Sequence, residues 1–97
     1  MRIVVVPSGQ YGALRERIEA YAGPGVMPVD FFADLPSRAD EVFLVITANN
    51  YDGTELQMMG KLCVSKYPGA RMQRLMVGEI PEDELWPFLA QLDRVAI

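Results

Sequence analysis

Two short loops hold the residues whose types and spacing suit chemistry. Pro7-Ser8-Gly9-Gln10 follows an apolar run at residues 3–6 and precedes a helical pattern, so its backbone N–H groups stand at a helix N-terminus. Free donors and the helix dipole both favour an anion there. Asn49-Asn50-Tyr51-Asp52-Gly53 follows a second apolar run, residues 42–46, and supplies two amides and an aromatic face ahead of a helix starting at Thr54. One loop thus offers anion binding and the other stacking, a division that suits a planar ring carrying a phosphate. Asp52 and Glu55 would repel the anion, which places a phosphate towards Gly9. Plainer roles fit the same residues: a helix cap for Ser8 and Gly9, and an ordinary turn before a capped helix for Tyr51, Asp52 and Gly53.

The composition removes several reaction classes. The 97 residues include no histidine and a single cysteine, Cys63. There is therefore no Ser-His or Cys-His nucleophile pair, no internal disulfide and no Cys/His metal cluster. A net charge of −4, without any Lys/Arg run, argues against nucleic acid, whose phosphates are held by clustered cations. No apolar run approaches the roughly 20 residues of a membrane span, and no cleavage signature follows Met1-Arg2. The expectation is a soluble, cytoplasmic protein with one α/β domain over residues 1–97, binding neither nucleic acid nor membrane. Asp30 and Asp34 follow a strand, as the ribose-binding acid does in dinucleotide folds. No Gly-x-Gly-x-x-Gly accompanies them, so they read as solvent-facing acids.

The loops need a frame, and the apolar pattern describes one. A run that does not alternate cannot keep one face in water, so residues 3–6 and 42–46 read as inner strands covered on both sides. The loop after residues 42–46 emerges at the carboxyl end of its strand, where open α/β sheets place ligands. Residues 26–32 alternate Met27, Val29 and Phe31 against Pro28 and Asp30, and the proline marks an edge. Residues 71–77 begin with Arg71, Gln73 and Arg74 and read as a second edge, protected by charge.

The helices follow the same logic. The first carries Leu14, Ile18 and Tyr21 on its inner stripe and ends at Gly23-Pro24-Gly25. The second is expected to be capped by Thr54 with Gln57, to bury Leu56, Met59, Gly60 and Cys63, and to stop at Pro68-Gly69. Cys63 on that stripe is a structural core thiol. The tail has an acidic turn at Glu82-Asp83-Glu84, a kink or restart at Pro87, and Leu85, Leu89 and Leu92 facing the sheet. Trp86 fits either the core or a partner's anchor point.

Strand-helix-strand-strand-helix-strand-helix fits two folds. One is a four-stranded parallel sheet in the order 2-1-3-4 with helices on both faces. The other is ferredoxin-like, with strands two and three as an antiparallel hairpin. The short connection between those strands favours the hairpin, since a parallel crossover takes about a dozen residues. The two continuous apolar strands favour cover on both faces, which a ferredoxin-like sheet usually lacks, so the parallel order 2-1-3-4 is the expected fold and the hairpin its alternative.

Asn50-Tyr51-Asp52-Gly53-Thr54-Glu55-Leu56-Gln57 after a buried strand resembles the flavodoxin loop that carries an aromatic and then Gly-Asp-Gly-Glu-Leu or close variants. Pro7-Ser8-Gly9-Gln10-Tyr11 stands where that family keeps its phosphate loop. The resemblance implies a small three-layer flavodoxin-like sheet and FMN, or another phosphorylated small molecule, as ligand. Ser8, Gly9 and Gln10 would hold phosphate, Asn49, Asn50 and Tyr51 would meet the ring, and electron transfer would follow. The chain differs from the family in lacking further hydroxyls after Ser8, an aromatic in Gly78-Glu79-Ile80-Pro81-Glu82 and a fifth strand. Those differences fit a non-catalytic accessory subunit that binds a protein partner or self-associates. Its expected surface is the uncovered edge of the fourth strand, with Met58, Met72 and Met76 along it, forming a homodimer or a complex.

Overall fold

β3, Glu41–Thr47, is the middle of the sheet, and every residue from position 42 to 47 is buried. Such a run stays out of water only with cover on both faces. The computed structural model, which describes residues 1–31 and 35–97, supplies that cover. β3 lies between β1, Arg2–Val6, and β4, Arg71–Val77; β2, Val26–Asp30, and β5, Asp93–Ala96, form the edges. The order is β2-β1-β3-β4-β5, and every neighbouring pair is parallel.

Alternate residues sort the core into two layers. Ile3, Val5, Val42, Leu44, Ile46 and Met76 pack with Leu56, Met59 and Cys63 of α2, Thr54–Lys66. Val4, Val6, Phe43, Val45, Leu75 and Val77 form the opposite layer with Ile18 of α1, Tyr11–Ala22. Each fully buried aliphatic side chain contributes about 1.5–3 kcal/mol. α1 ends at Gly23, whose φ of 77° suits glycine. Its expected stripe is only partly right: Ile18 is buried, but Tyr21 is 53% exposed at the rim of a groove on this face.

The antiparallel hairpin is excluded, because β1 separates β2 from β3 and runs parallel to both. Residues 35–40 of the connection form no helix. They are laid on the α2 side instead, with Leu35 and Ala39 against the core. Tyr67 Oη donates to the Pro36 carbonyl at 2.6 Å, and the Asp40 N–H donates to the Met1 carbonyl at 2.7 Å. Phe32, expected in the second strand, and Asp34 lie outside the described residues. β2 ends at Asp30, which is half-buried rather than solvent-facing.

Four further expectations are corrected. A fifth strand is present: β5 pairs with β4 from Gln73–Asp93 to Met76–Ala96, so β4 is not an edge. Met76 is buried, Met72 half-buried, and the exposed Met58 stands on the outer side of α2 rather than beside an open strand. The polar start of β4 serves the interior of the sheet. Arg2, Glu41, Arg71 and Asp93 form a row of alternating charge across the amino ends of four strands, with contacts of 2.6, 3.7 and 2.9 Å. Gln73 Nε2 also donates to Glu41 at 2.6 Å. Arg74, 10% exposed, donates to Glu82 at 2.8 Å and to the Leu92 carbonyl at 3.2 Å, tying the tail down. Finally, Thr54 is not the cap of α2. Gly53 holds that position, without a side-chain capping bond.

The tail behaves as its prolines dictate. A single 3-10 turn, Glu82–Glu84, precedes α3, Pro87–Ala90, in which Pro87 occupies the first turn, where its missing N–H costs nothing. Leu85 and Leu89 are buried against the α2-side core and Leu92 is partly so. Among the described residues no helix is long and apolar enough to cross a membrane.

Candidate functional site

The chain leaves β1 for α1 on one face of the sheet and leaves β3 for α2 on the other. β1 and β3 are neighbours, so their following loops part company at a topological switch point, where open parallel sheets form a crevice. Ser8, Gly9 and Gln10 stand on one side of it and Asn49, Asn50 and Tyr51 on the other.

Side chains close much of this crevice from within. The Ser8 N–H donates to Glu55 Oε1 at 2.8 Å and the Ser8 hydroxyl donates to Oε2 at 3.0 Å. The first turn of α2 thus places a carboxylate against the donors of the first loop. Thr47, the last residue of β3, donates from its hydroxyl to Gln10 Oε1 at 3.0 Å, joining the two loops. Asn50 turns inward: its Oδ1 accepts from the Thr47 N–H at 2.6 Å and its Nδ2 donates to the Val45 carbonyl at 3.1 Å. The Asn49 N–H donates to the Thr47 hydroxyl at 3.1 Å. Asn50 therefore ends the strand with its own amide, much as a cap ends a helix. Gly9 is exposed at the rim, with a φ of 80° that favours glycine.

Tyr51 is half-buried against the α2-side core. The carboxylate of Glu84 beside its phenol, then burial and the charge of Asp52, raise its pKa above the ordinary tyrosine value. The structure thus brings Ser8, Gln10 and Asn50 together through Glu55 and Thr47, and sets Tyr51 towards the acidic turn that follows β4. That turn has its own work, since Glu82 binds Arg74 at 2.8 Å and Arg94 at 3.3 Å.

Glu55 and Thr47 are the residues whose roles sequence reasoning missed. An acid in the first turn of a helix and a hydroxyl closing an apolar run are visible signals. Their partners, 47 and 37 positions away, are not. Cys63 is fully buried on the inner side of α2, and burial pushes its thiol up to about 11, which suits a core residue and not a nucleophile. Among the described residues no group of three or more His, Cys, Asp or Glu could hold a metal ion. No family model, curated protein or solved structure matches the chain. Its class rests on the fold and the crevice: a small α/β domain with a five-stranded parallel sheet.

Proposed function

We propose that the chain is a flavodoxin-like domain acting as a non-catalytic binding module for a protein partner. The Glu55 carboxylate carries this reading. It accepts from both donors of Ser8, in the place where the likeness to flavodoxins puts a phosphate. A second anion about 4 Å away would be repelled by about 4 kcal/mol at an effective dielectric of 20. The attraction of a helix N-terminus for an anion is about 0.3–1 kcal/mol. Repulsion is the larger effect.

A second reading keeps the crevice as a site for FMN or another phosphorylated small molecule, with Ser8, Gly9 and Gln10 on phosphate and Asn49, Asn50 and Tyr51 at the ring. The Thr47–Gln10 hydrogen bond favours it, because it draws the two loops together. Binding would require Glu55 to turn away from Ser8 and Tyr51 to leave Glu84. Titrating FMN with the protein to high micromolar concentration separates the readings. The proposal expects a colourless protein and unquenched flavin fluorescence. Saturable quenching that disappears in Tyr51→Ala would establish the flavin site instead.

A further inference from the structure

The outer side of α2 differs in charge from the rest of the chain. Met58, Leu62 and Val64 are three of the six large apolar side chains left exposed among the described residues, so half of them lie on one helix. Residues 56–78 include Lys61, Lys66, Arg71 and Arg74 and no Asp or Glu, although the whole chain carries −4. Arg71 and Arg74 are engaged within the fold by Glu41, Asp93 and Glu82. Lys61 and Lys66 make no ion pair among the described residues.

Beside this stripe, α2 and α3 leave an open cleft of about 280 Å³, lined almost wholly by apolar surface of Gly60, Val64, Trp86 and Phe88 with Lys61 and Ser65. Gly60 faces α3, where a Cβ would meet the Phe88 ring at 3.5 Å, an ordinary contact distance. The Trp86 and Phe88 rings form one wall, 5.4 Å apart and tilted by 56°. The Lys61 ammonium stands 5.4 Å from the centre of the Trp86 ring, a cation held at the mouth of an apolar hollow. The volume falls below the roughly 300 Å³ at which small-molecule pockets begin. It suits one or two side chains.

We propose that this cleft and the adjoining Met58–Leu62 stripe dock an acidic amphipathic segment of a partner protein. A large apolar side chain seats between Val64, Trp86 and Phe88, and carboxylates meet Lys61 and Lys66. This rests on the protein-binding reading above and gives it a surface. Side chains one helical turn apart are the usual anchors of helix-in-groove recognition. The acidic character follows from Lys61: covering an unpaired ammonium with a neutral segment costs its hydration, whereas a carboxylate replaces it. An anionic membrane fits less well. Each lysine near such a surface contributes about 1 kcal/mol, two are too few to anchor a chain of net charge −4, and a concave hollow does not match a flat bilayer.

Trp86 is the only tryptophan, so its emission reports the cleft directly. Random displayed peptides of about 16 residues, or four helical turns, are selected on the whole protein. Enriched sequences are then titrated while Trp86 emission is followed. The expected result is enrichment of peptides combining large apolar residues with Asp or Glu, a saturable Trp86 shift, and a loss of affinity of about tenfold or more in Lys61→Glu and Val64→Asp. Binders that leave Trp86 unmoved overturn this surface while leaving the protein-binding reading intact. Binders without acidic residues, or binding indifferent to Lys61→Glu, overturn the charge argument and with it the proposal. So does a Trp86 shift produced by phosphatidylserine vesicles or by raising the protein's own concentration, in the absence of enriched peptides. A library yielding nothing on a colourless protein that ignores FMN also overturns it, whereas flavin quenching would remove the underlying reading itself.

Discussion

The loop crevice at β1 and β3 and the cleft between α2 and α3 are both concave, but they treat their polar groups in opposite ways. In the crevice, Ser8, Gln10, Thr47, Asn50 and Glu55 bond to one another or to backbone. Among the described residues no buried side-chain nitrogen or oxygen is left without a partner. At the cleft, Lys61 stands over the Trp86 ring and, like Lys66 further along α2, makes no ion pair among the described residues, beside exposed apolar side chains. The topology of a parallel sheet identifies where loops converge. Whether those loops still have interactions to make depends on how their donors and acceptors are already used. Here the favoured position is satisfied from within, and the interactions still open lie on a helix surface.

This contrast can be broken at either end. The largest effect is expected from Asn50→Ala, which strips the buried Thr47 N–H and Val45 carbonyl of their partners at once. Urea unfolding should show a loss of about 3 kcal/mol; a loss under about 1 kcal/mol would mean that the crevice is not held closed by this side chain. Cys63 tests whether the helix between the two regions is sealed on its inner side. Its thiol is raised from 9.0 to about 11, so the unfolded chain ionises first. Stability should be full below about pH 9 and decline towards pH 11, and Cys63→Ala should flatten that decline. An unchanged alkaline limb, or labelling of native Cys63 at the rate of a free thiol, would argue against burial.

Smaller effects sharpen the comparison. Glu55→Ala should cost about 1 kcal/mol, because water can reach half-buried Ser8 in its place. If the same variant began to quench FMN fluorescence, Glu55 would be the only obstacle to the second reading. Lys61→Glu should change stability by no more than about 1 kcal/mol, since the contact it loses is one exposed cation held over the Trp86 ring. A much larger shift in the unfolding midpoint would assign the cleft to the architecture.

The sequence was most legible where one residue pattern admits one environment. Val42-Phe43-Leu44-Val45-Ile46 has no polar side, and it is the centre of a sheet covered on both faces. Pro87 restarts the tail because proline tolerates a first turn and little else. β5 was hidden because Asp93-Arg94-Val95-Ala96 has one β-branched residue and no alternation. Its place depends on the partner strand and on Asp93 finding Arg71 at 2.9 Å. Arg71, Gln73 and Arg74 look alike in sequence whether they guard an open edge or stitch an interior strand. The role of Glu55 was beyond reach for a related reason. Its bond to Ser8 exists only once two strands 39 positions apart in their first residues, Arg2 and Glu41, lie side by side.

The row formed by Arg2, Glu41, Arg71 and Asp93 acts less as glue than as a parity check. Exposed ion pairs of this kind add only about 0–1 kcal/mol each. A slip of β4 by one residue, however, sets Met72 opposite Glu41, sends Arg71 to the far face and removes Leu75 from the layer it shares with Phe43. The wrong reading loses apolar burial and strands a charge together, so the row discriminates against errors more than it rewards the correct alignment. Parallel strands pair late, after long loops have closed. Such a code matters most at its least informative letter, the four-residue β5, which Arg71 reads through Asp93.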